Sequence, residues 1–280
     1  PTHPNPPVAT PPSSGPCGSA TSARYTHVVW IWMENKEYGS VIGSPSAPYE
    51  NALAKSCGSA TNYQGVSHPS LPNYLAATGG STFGVGDDAG PSTHPITGDS
   101  IFGQVTRAGL SWRSYQESMP ANCATEDSGS YAVKHNPAAY FVAVRAQCNV
   151  DDVPLAGNFD AALGAGALPS FSFVTPNLCN DTHDCSVQTG DKWLATWVPK
   201  IVGGANYRAG NTLVVVTWDE GVGANQQTPT IVIAPTVRPG TVASARFSHF
   251  SLLRTTEDLL GLPPLGSSGA APAMTAAFGL

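Results

Sequence analysis

NTLVVVTWDEG (residues 211–221) is an unbroken β-branched and apolar run that stops on two acids. A run of this kind, closed by turn residues, suits a strand covered on both faces, as in a parallel sheet. RYTHVVWIWMEN (24–35) has the same make-up and stops on Glu34 and Asn35. LPSFSFVTPN (168–177) and TPTIVIAP (228–235) read as further strands, and ATNYQGVSHPS (60–70) as a short strand entering a loop. Helical spacing runs through 47–59, SLPNYLAATGG (70–80), the start of 100–118, GDKWLATWVPKIVGG (190–204) and HFSLLRTTEDLLGL (249–262). The second of these has Pro near its start and Gly at its end, the asymmetry expected of a helix. Residues 81–95 and 118–157 read as loop and irregular chain. Strands alternating with helices predict an α/β fold, a large and mostly parallel sheet with helices on both faces.

Composition narrows the function classes. Hydrophobic residues make up 41% of the 280, enough for a full core, while charged residues are only 11%. The net charge of −6 gives no basic face for nucleic acid. No apolar stretch approaches the ~18 residues of a membrane span, so no stable membrane insertion is expected. The opening PTHPNPPVATPPSSGPCG lacks an initiator Met and reads as the start of a mature, secreted chain. Residues 1–23 are expected to be a Pro/Ser-rich tail and 24–280 a single catalytic domain, monomeric and extracellular. Six cysteines without a CxxC pair suit an oxidising compartment. They allow 15 pairings. Pairing in chain order gives Cys17–Cys57, Cys123–Cys148 and Cys179–Cys185, of which only the last is suggested by closeness.

In sheets of this type ligands bind beyond the carboxyl ends of the strands. MEN, VSHPS, TPN and WDE all fall where a predicted strand ends, so four segments converge on one rim. Glu34, Asn35, Asp219 and Glu220 supply oxygen ligands of the kind a hard divalent cation prefers. The plain alternative is a set of polar strand ends facing water. Ser70 is a poor nucleophile until a base or a metal activates it, and it opens a predicted helix whose first N–H groups favour anions. An N-cap without chemistry is its plain alternative. Asn73, one turn on, is placed to donate to a phosphate oxygen. TPNLCNDTHDCS (175–186) sets His183 between two cysteines as a proton donor for a leaving oxygen, with Asp184 to orient the ring. His68 is assigned to steadying the nucleophile loop and His135 to touching phosphate; for these two and His249 a structural hydrogen bond is the plainer role. GVSHP resembles the first part of G-x-S-x-G with Ser67 as nucleophile, but its fifth position is Pro69. No C/S-x-P-x-R sulfatase motif is present, and GVGDD (84–88) lacks the spacing of a calcium loop and reads as solvent-exposed.

VVWIWMEN, SHPSLPNYLAATGG, TPNLCNDTHDCS, GDKWLATWVPKI, LVVVTWDEG and RFSHFSLLRTTEDLLGL occur in this order. Together they resemble the phosphoesterase family of secreted bacterial acid phosphatases and non-specific phospholipases C, over about residues 25–262. The resemblance implies an α/β/α sandwich of the alkaline-phosphatase-like superfamily. It implies that Glu34, Asn35, Asp219 and Glu220 are metal ligands, Ser70 the nucleophile and His183 catalytic; His68, His135 and His249 also have family counterparts. Many relatives read Glu-Asn-Arg-Ser where Lys36 and Glu37 follow here, so no role passes to those two. Superfamily members hold two zincs with several His and Asp ligands. The sparser, oxygen-rich set here implies one divalent ion, with Ca, Mg, Mn, Zn and Fe all open. The expected activity is metal-dependent hydrolysis of phosphate monoesters through a phosphoserine, a phospholipid headgroup being among the candidate substrates. The alternatives are a phosphodiesterase of the phospholipase C type, against which the compact chain speaks, and a secreted, non-catalytic binding module.

Overall fold

The computed structural model describes residues 15–224 and 226–280. Among these residues ten strands occur in the order β1 (His27–Met33), β2 (Gly58–Ala60), β3 (Tyr63–Gln64), β4 (Trp112–Gln116), β5 (Asp152–Pro154), β6 (Phe171–Thr175), β7 (Thr212–Trp218), β8 (Thr230–Ile233), β9 (Thr241–Ala243) and β10 (Phe247–Ser248). Eight form one sheet in the order β5-β4-β6-β1-β7-β8-β2-β9. All neighbours run parallel except β8, which is antiparallel to both β7 and β2. The sheet is therefore large and mostly parallel, as its buried runs require: β7 is buried along its whole length.

Alternation across β1 divides the core into two layers. Trp30 and Trp32 point to one face, where Trp30 Nε1 donates to Thr256 at 3.1 Å and Trp32 packs on Tyr74 and His249. Helices Ser70–Gly79 and His249–Leu260 form that layer. Met33 points to the other face, against Gly190 of helix Val187–Val202, on which helix Pro48–Ser56 packs.

The small strands depart from expectation. The segment entering VSHPS pairs as β3 with β10 in a separate two-stranded ribbon. Residues 118–157, expected to be irregular, contain the edge strand β5 beside short 3-10 turns. Helix Leu155–Gly164, which no periodicity announced, is broken near its start by Ala156 and Gly157 in non-helical conformations. The three disulfides are Cys17–Cys57, Cys123–Cys148 and Cys179–Cys185, the chain-order pairing. Residues 1–14 of the expected tail lie outside the described residues, and Cys17 beyond them is buried.

Candidate active site

The site grows out of strand register. Met33 pairs with Trp218 at the ends of β1 and β7, and the ladder continues one step as Asp219 N–H donates to Met33 O at 3.0 Å. Glu34 and Asp219 therefore leave the sheet side by side, both fully buried. Asn35 follows with φ of 54°, a left-handed conformation that Asn tolerates better than most residues. That bend turns its N–H onto Asp219 Oδ1 at 3.0 Å. The loop after β6 adds Asp181, also fully buried, whose carbonyl accepts the Glu34 N–H at 2.8 Å.

Ser70 is the first residue of its helix and is buried. Its Oγ donates to Glu34 Oε2 at 3.1 Å, while Tyr74, one turn on, donates its phenol to Glu34 Oε1. Gly80 ends the helix at φ of 70°, where a Cβ would stand 2.1 Å from Leu265 O, so only glycine fits this stop. Asn73 clasps the preceding loop. Its Oδ1 accepts the N–H groups of Val66 and Ser67, and its Nδ2 donates to Ser67 O at 2.8 Å and to Glu220 Oε2 at 3.2 Å. Glu220 also meets His68 Nδ1 at 2.7 Å, at a point where His68 faces solvent. His249 is wholly internal, with Nε2 donating to Asp219 O and Nδ1 3.0 Å from Tyr63 OH.

Two imidazoles close the other side. His135 is buried, stacks on Tyr74, and holds Nε2 3.2 Å from Glu34 Oε1 and Nδ1 3.2 Å from Asp181 Oδ2. His183 lies on the ring closed by Cys179–Cys185, with its backbone N–H donating to Asp181 Oδ1 and its imidazole Nδ1 2.7 Å from Asp184 Oδ1. A carboxylate on Nδ1 holds the proton there and leaves Nε2 turned toward Lys134 Nζ, 3.5 Å away. Between Asp181 and His183, Thr182 has φ of 79°, a conformation that costs a β-branched residue roughly 1–3 kcal/mol. It is held there by bonds from its Oγ1 to Glu34 O at 2.7 Å and from Trp218 Nε1 to its Oγ1 at 3.2 Å.

Charge is concentrated in this space. Burial, then Asp219 and Asp181, drives the proton affinity of Glu34 well above the carboxylate range. Burial raises Asp181 to about 7, and burial with Asp219 beside it raises Glu220 to about 8. Burial lowers His135 to about 3, so its ring is neutral. Asp219 Oδ2, Asp181 Oδ2 and His135 Nε2 are all buried without a hydrogen-bond partner. Crowded, buried acids with unpartnered oxygens fit a divalent cation, which would discharge their mutual repulsion. Glu34, His135 and His183 bring ligand atoms within 4.8 Å of one another and can hold such an ion. Both histidines were expected to act on substrate, so the candidate metal donors extend beyond the oxygen set read from the sequence. Shape alone does not find this place: a cleft of about 960 Å³ at Gly18, Arg238 and Phe278 includes none of these residues.

The sequence profile of the phosphoesterase family matches residues 44–263. The chain belongs to the phosphoesterase family. This phosphoesterase is 36% identical over 269 residues to a phosphatidylinositol-3-phosphatase of Mycobacterium tuberculosis, covering 94% of the chain and 86% of that protein. It is 26% identical over 265 residues to an acid phosphatase of Aspergillus fumigatus, covering 90% of the chain but only 58% of the fungal protein. A crystal structure of an alkaline phosphatase superfamily protein from Vibrio parahaemolyticus superposes with a TM-score of 0.63 at 13% identity, over 93% of the chain and 74% of that one. The phosphoesterase thus has the alkaline-phosphatase-like fold, and among its described residues no helix is long and apolar enough to cross a membrane.

Several residues of the site escaped the sequence reading. Asp181 lies in the same NDTHD stretch as His183 and was passed over for its exposed neighbour Asp184. Tyr74 sits one helical turn after Ser70, a spacing that could have flagged it. Lys134 and Asp88 come from segments read as loop, and no local signal ties them to the rim.

Proposed function

We propose that the phosphoesterase hydrolyses phosphate monoesters in two steps, with Ser70 as nucleophile and phosphoserine as intermediate. The observation that carries this reading is the Ser70 hydroxyl, at a helix start, bonded to Glu34 at 3.1 Å within a cluster of buried acids. Glu34, Asn35, Asp219 and Glu220, with Ser70, are the proposed oxygen ligands. A divalent cation held there supplies the charge that favours the ionised hydroxyl and offsets the phosphoryl oxygens. Ser70 Oγ passes its proton to Glu34 Oε2 and attacks phosphorus in line as the ester P–O bond breaks. The leaving alcohol takes a proton from Nε2 of His183 in its doubly protonated form, on the ring side opposite Asp184. Water then attacks the phosphoserine and gives a proton to His183, Glu34 returns the proton to the Ser70 oxygen, and phosphate is released. Positioning and charge supply most of the rate in such transfers. Asn73 and His68, bonded to Glu220, shape the nucleophile loop at the edge of the substrate space.

Monoesters are favoured because relatives bear the names acid phosphatase and phosphatidylinositol-3-phosphatase; the latter also makes a lipid headgroup a candidate substrate. Three disulfides support an extracellular, oxidising setting. We take residues 24–280 to act as one monomeric catalytic unit after a Pro-rich tail.

The test pairs p-nitrophenyl phosphate with its bis-ester and measures metal in the same preparation. Strong preference for the monoester, a divalent ion bound to the chain, and a phosphate trapped on Ser70 by acid quench are the expected results. Preference for the bis-ester would favour the phospholipase C alternative. Silence toward both, with metal bound, would favour a binding module.

A further inference from the structure

Asp88 belongs to GVGDD, the segment expected to face solvent, yet its carboxylate reaches the active site. Its Oδ1 accepts the backbone N–H of Leu71, the residue after Ser70, at 2.9 Å. Its Oδ2 lies 2.9 Å from Lys134 Nζ, and Lys134 in turn stands 3.5 Å from His183 Nε2. The loop that delivers Asp88 is built for the purpose. Asp87 Oδ1 accepts the Ala89 N–H at 2.9 Å and meets His94 Nε2 at 2.6 Å, and Tyr140 OH donates to Ala89 O at 3.2 Å.

Leu71 N–H is a first-turn donor of a ten-residue helix, one of those left without an acceptor inside the helix. A backbone N–H and an ammonium that converge on the two oxygens of one anion are also the donors that a phosphoryl group takes. Here the anion is a side chain of the protein itself. The Asp88 and Lys134 side chains retain 28% and 21% of their surface, so the pair stands at the mouth, where an incoming ligand can exchange with it. Behind the mouth lie the unpartnered, buried Asp219 Oδ2 and His135 Nε2. A carboxylate carries one negative charge and two oxygens. A phosphate dianion carries more of both and competes for the same donors.

We propose that Leu71 N–H and Lys134 Nζ form a cradle for anionic phosphoryl oxygens, and that Asp88 is an internal competitor that fills the cradle until a phosphate group displaces it. The proposal rests on Ser70 as the nucleophile and adds to it two binding groups and a built-in plug. Exchange is a rotation of the Asp88 side chain and breaks no covalent bond.

Inorganic phosphate is the probe, titrated calorimetrically into the metal-loaded Ser70→Ala protein. Adding Asp88→Asn should tighten phosphate binding about tenfold, and adding Lys134→Met should weaken it about tenfold, the scale of one charge-assisted hydrogen bond. In the Ser70 enzyme, Asp88→Asn should lower KM for p-nitrophenyl phosphate by a similar factor. Asp88→Ser serves as a second opening variant, and Lys134→Met tests the cradle without touching Asp88. Phosphate affinity that is unchanged or weaker in both Asp88 variants, at unaltered melting temperature, would make Asp88 a support for Lys134 and overturn the proposal. Turnover that persists in Ser70→Ala would instead overturn the nucleophile assignment, while the binding comparison would still stand by itself.

Discussion

Among the described residues two groups of acids are buried, and only one of them is a candidate site. Glu34, Asp181 and Asp219 meet at the carboxyl ends of β1, β6 and β7; Glu50 and Asp191 meet where helix Pro48–Ser56 crosses helix Val187–Val202. Glu34 in the first and Glu50 in the second hold protons more tightly than exposed acids do. Glu50 is raised to about 9 by burial and then by Asp191, and both of its carboxyl oxygens lack partners. Around the first group stand a hydroxyl, a phenol, two imidazoles and an ammonium on Lys134, with His68 opening to solvent. Around the second, among the described residues, no Lys, Arg or His bonds to either acid; the Glu50 N–H on Asp191 Oδ1 at 2.9 Å is the contact that joins them. A perturbed carboxyl marks chemistry only when donors and acceptors of different kinds share its space and substrate can reach it.

That contrast can be broken at either end. The largest effect is expected from Ser70→Ala, which should lower kcat on the order of 10³-fold or more with an unchanged melting temperature. Glu50→Gln in a parallel preparation should keep near-normal turnover; equal losses in both would erase the distinction. Next is His183→Gln, with a loss on the order of 10²-fold for an alkyl phosphate and a smaller one for p-nitrophenyl phosphate, whose leaving group needs little help from an acid. Equal losses on the two substrates would remove His183 from proton transfer. Asp219→Asn should cost about 10- to 100-fold in metal affinity, read by equilibrium dialysis and elemental analysis, whereas Glu50→Gln should retain the ion. His135→Ala in the same assay separates a metal ligand from a phosphoryl contact.

The smallest effect concerns stability. Glu50 binds its proton more tightly folded than unfolded, so between about pH 4.5 and 9 the native state carries the extra proton. Stability therefore falls as pH rises through that window. Glu50→Gln should flatten this slope and raise the melting temperature at pH 8 by a few degrees, about 2–4 °C for each ~1 kcal/mol recovered. A slope identical to wild type would show that the acid is solvated after all.

What the sequence disclosed follows from what periodicity encodes. The runs at 27–33 and 212–218 are long, β-branched and buried, so the two central strands and the acids ending them were legible. Strands β2, β5, β9 and β10 have two or three residues each, too few to show alternation, and were not legible, while β3 was read as a short strand without its partner β10. The reversed direction of β8 was invisible because a buried strand reads alike in either sense. Within the site, Glu34, Asn35, Asp219 and Glu220 sat at recognisable strand ends and Ser70 and Asn73 at a helix start, whereas His135 came from a stretch read as irregular. Asp88 and Lys134 sit on loops whose course is set by distant contacts, such as Tyr140 on Ala89, and no local pattern records those.

The ring closed by Cys179 and Cys185 spans six positions, and inside it lie Asp181, Thr182 and His183. So short a bridge adds little to the cohesion of the whole chain compared with Cys17–Cys57, which spans 40. Its effect is local. Cut by thiols, it would let Thr182 relax out of its left-handed turn and carry Asp181 and the imidazole with it. A molecule that wandered into a reducing milieu would be disarmed well before it was dismantled.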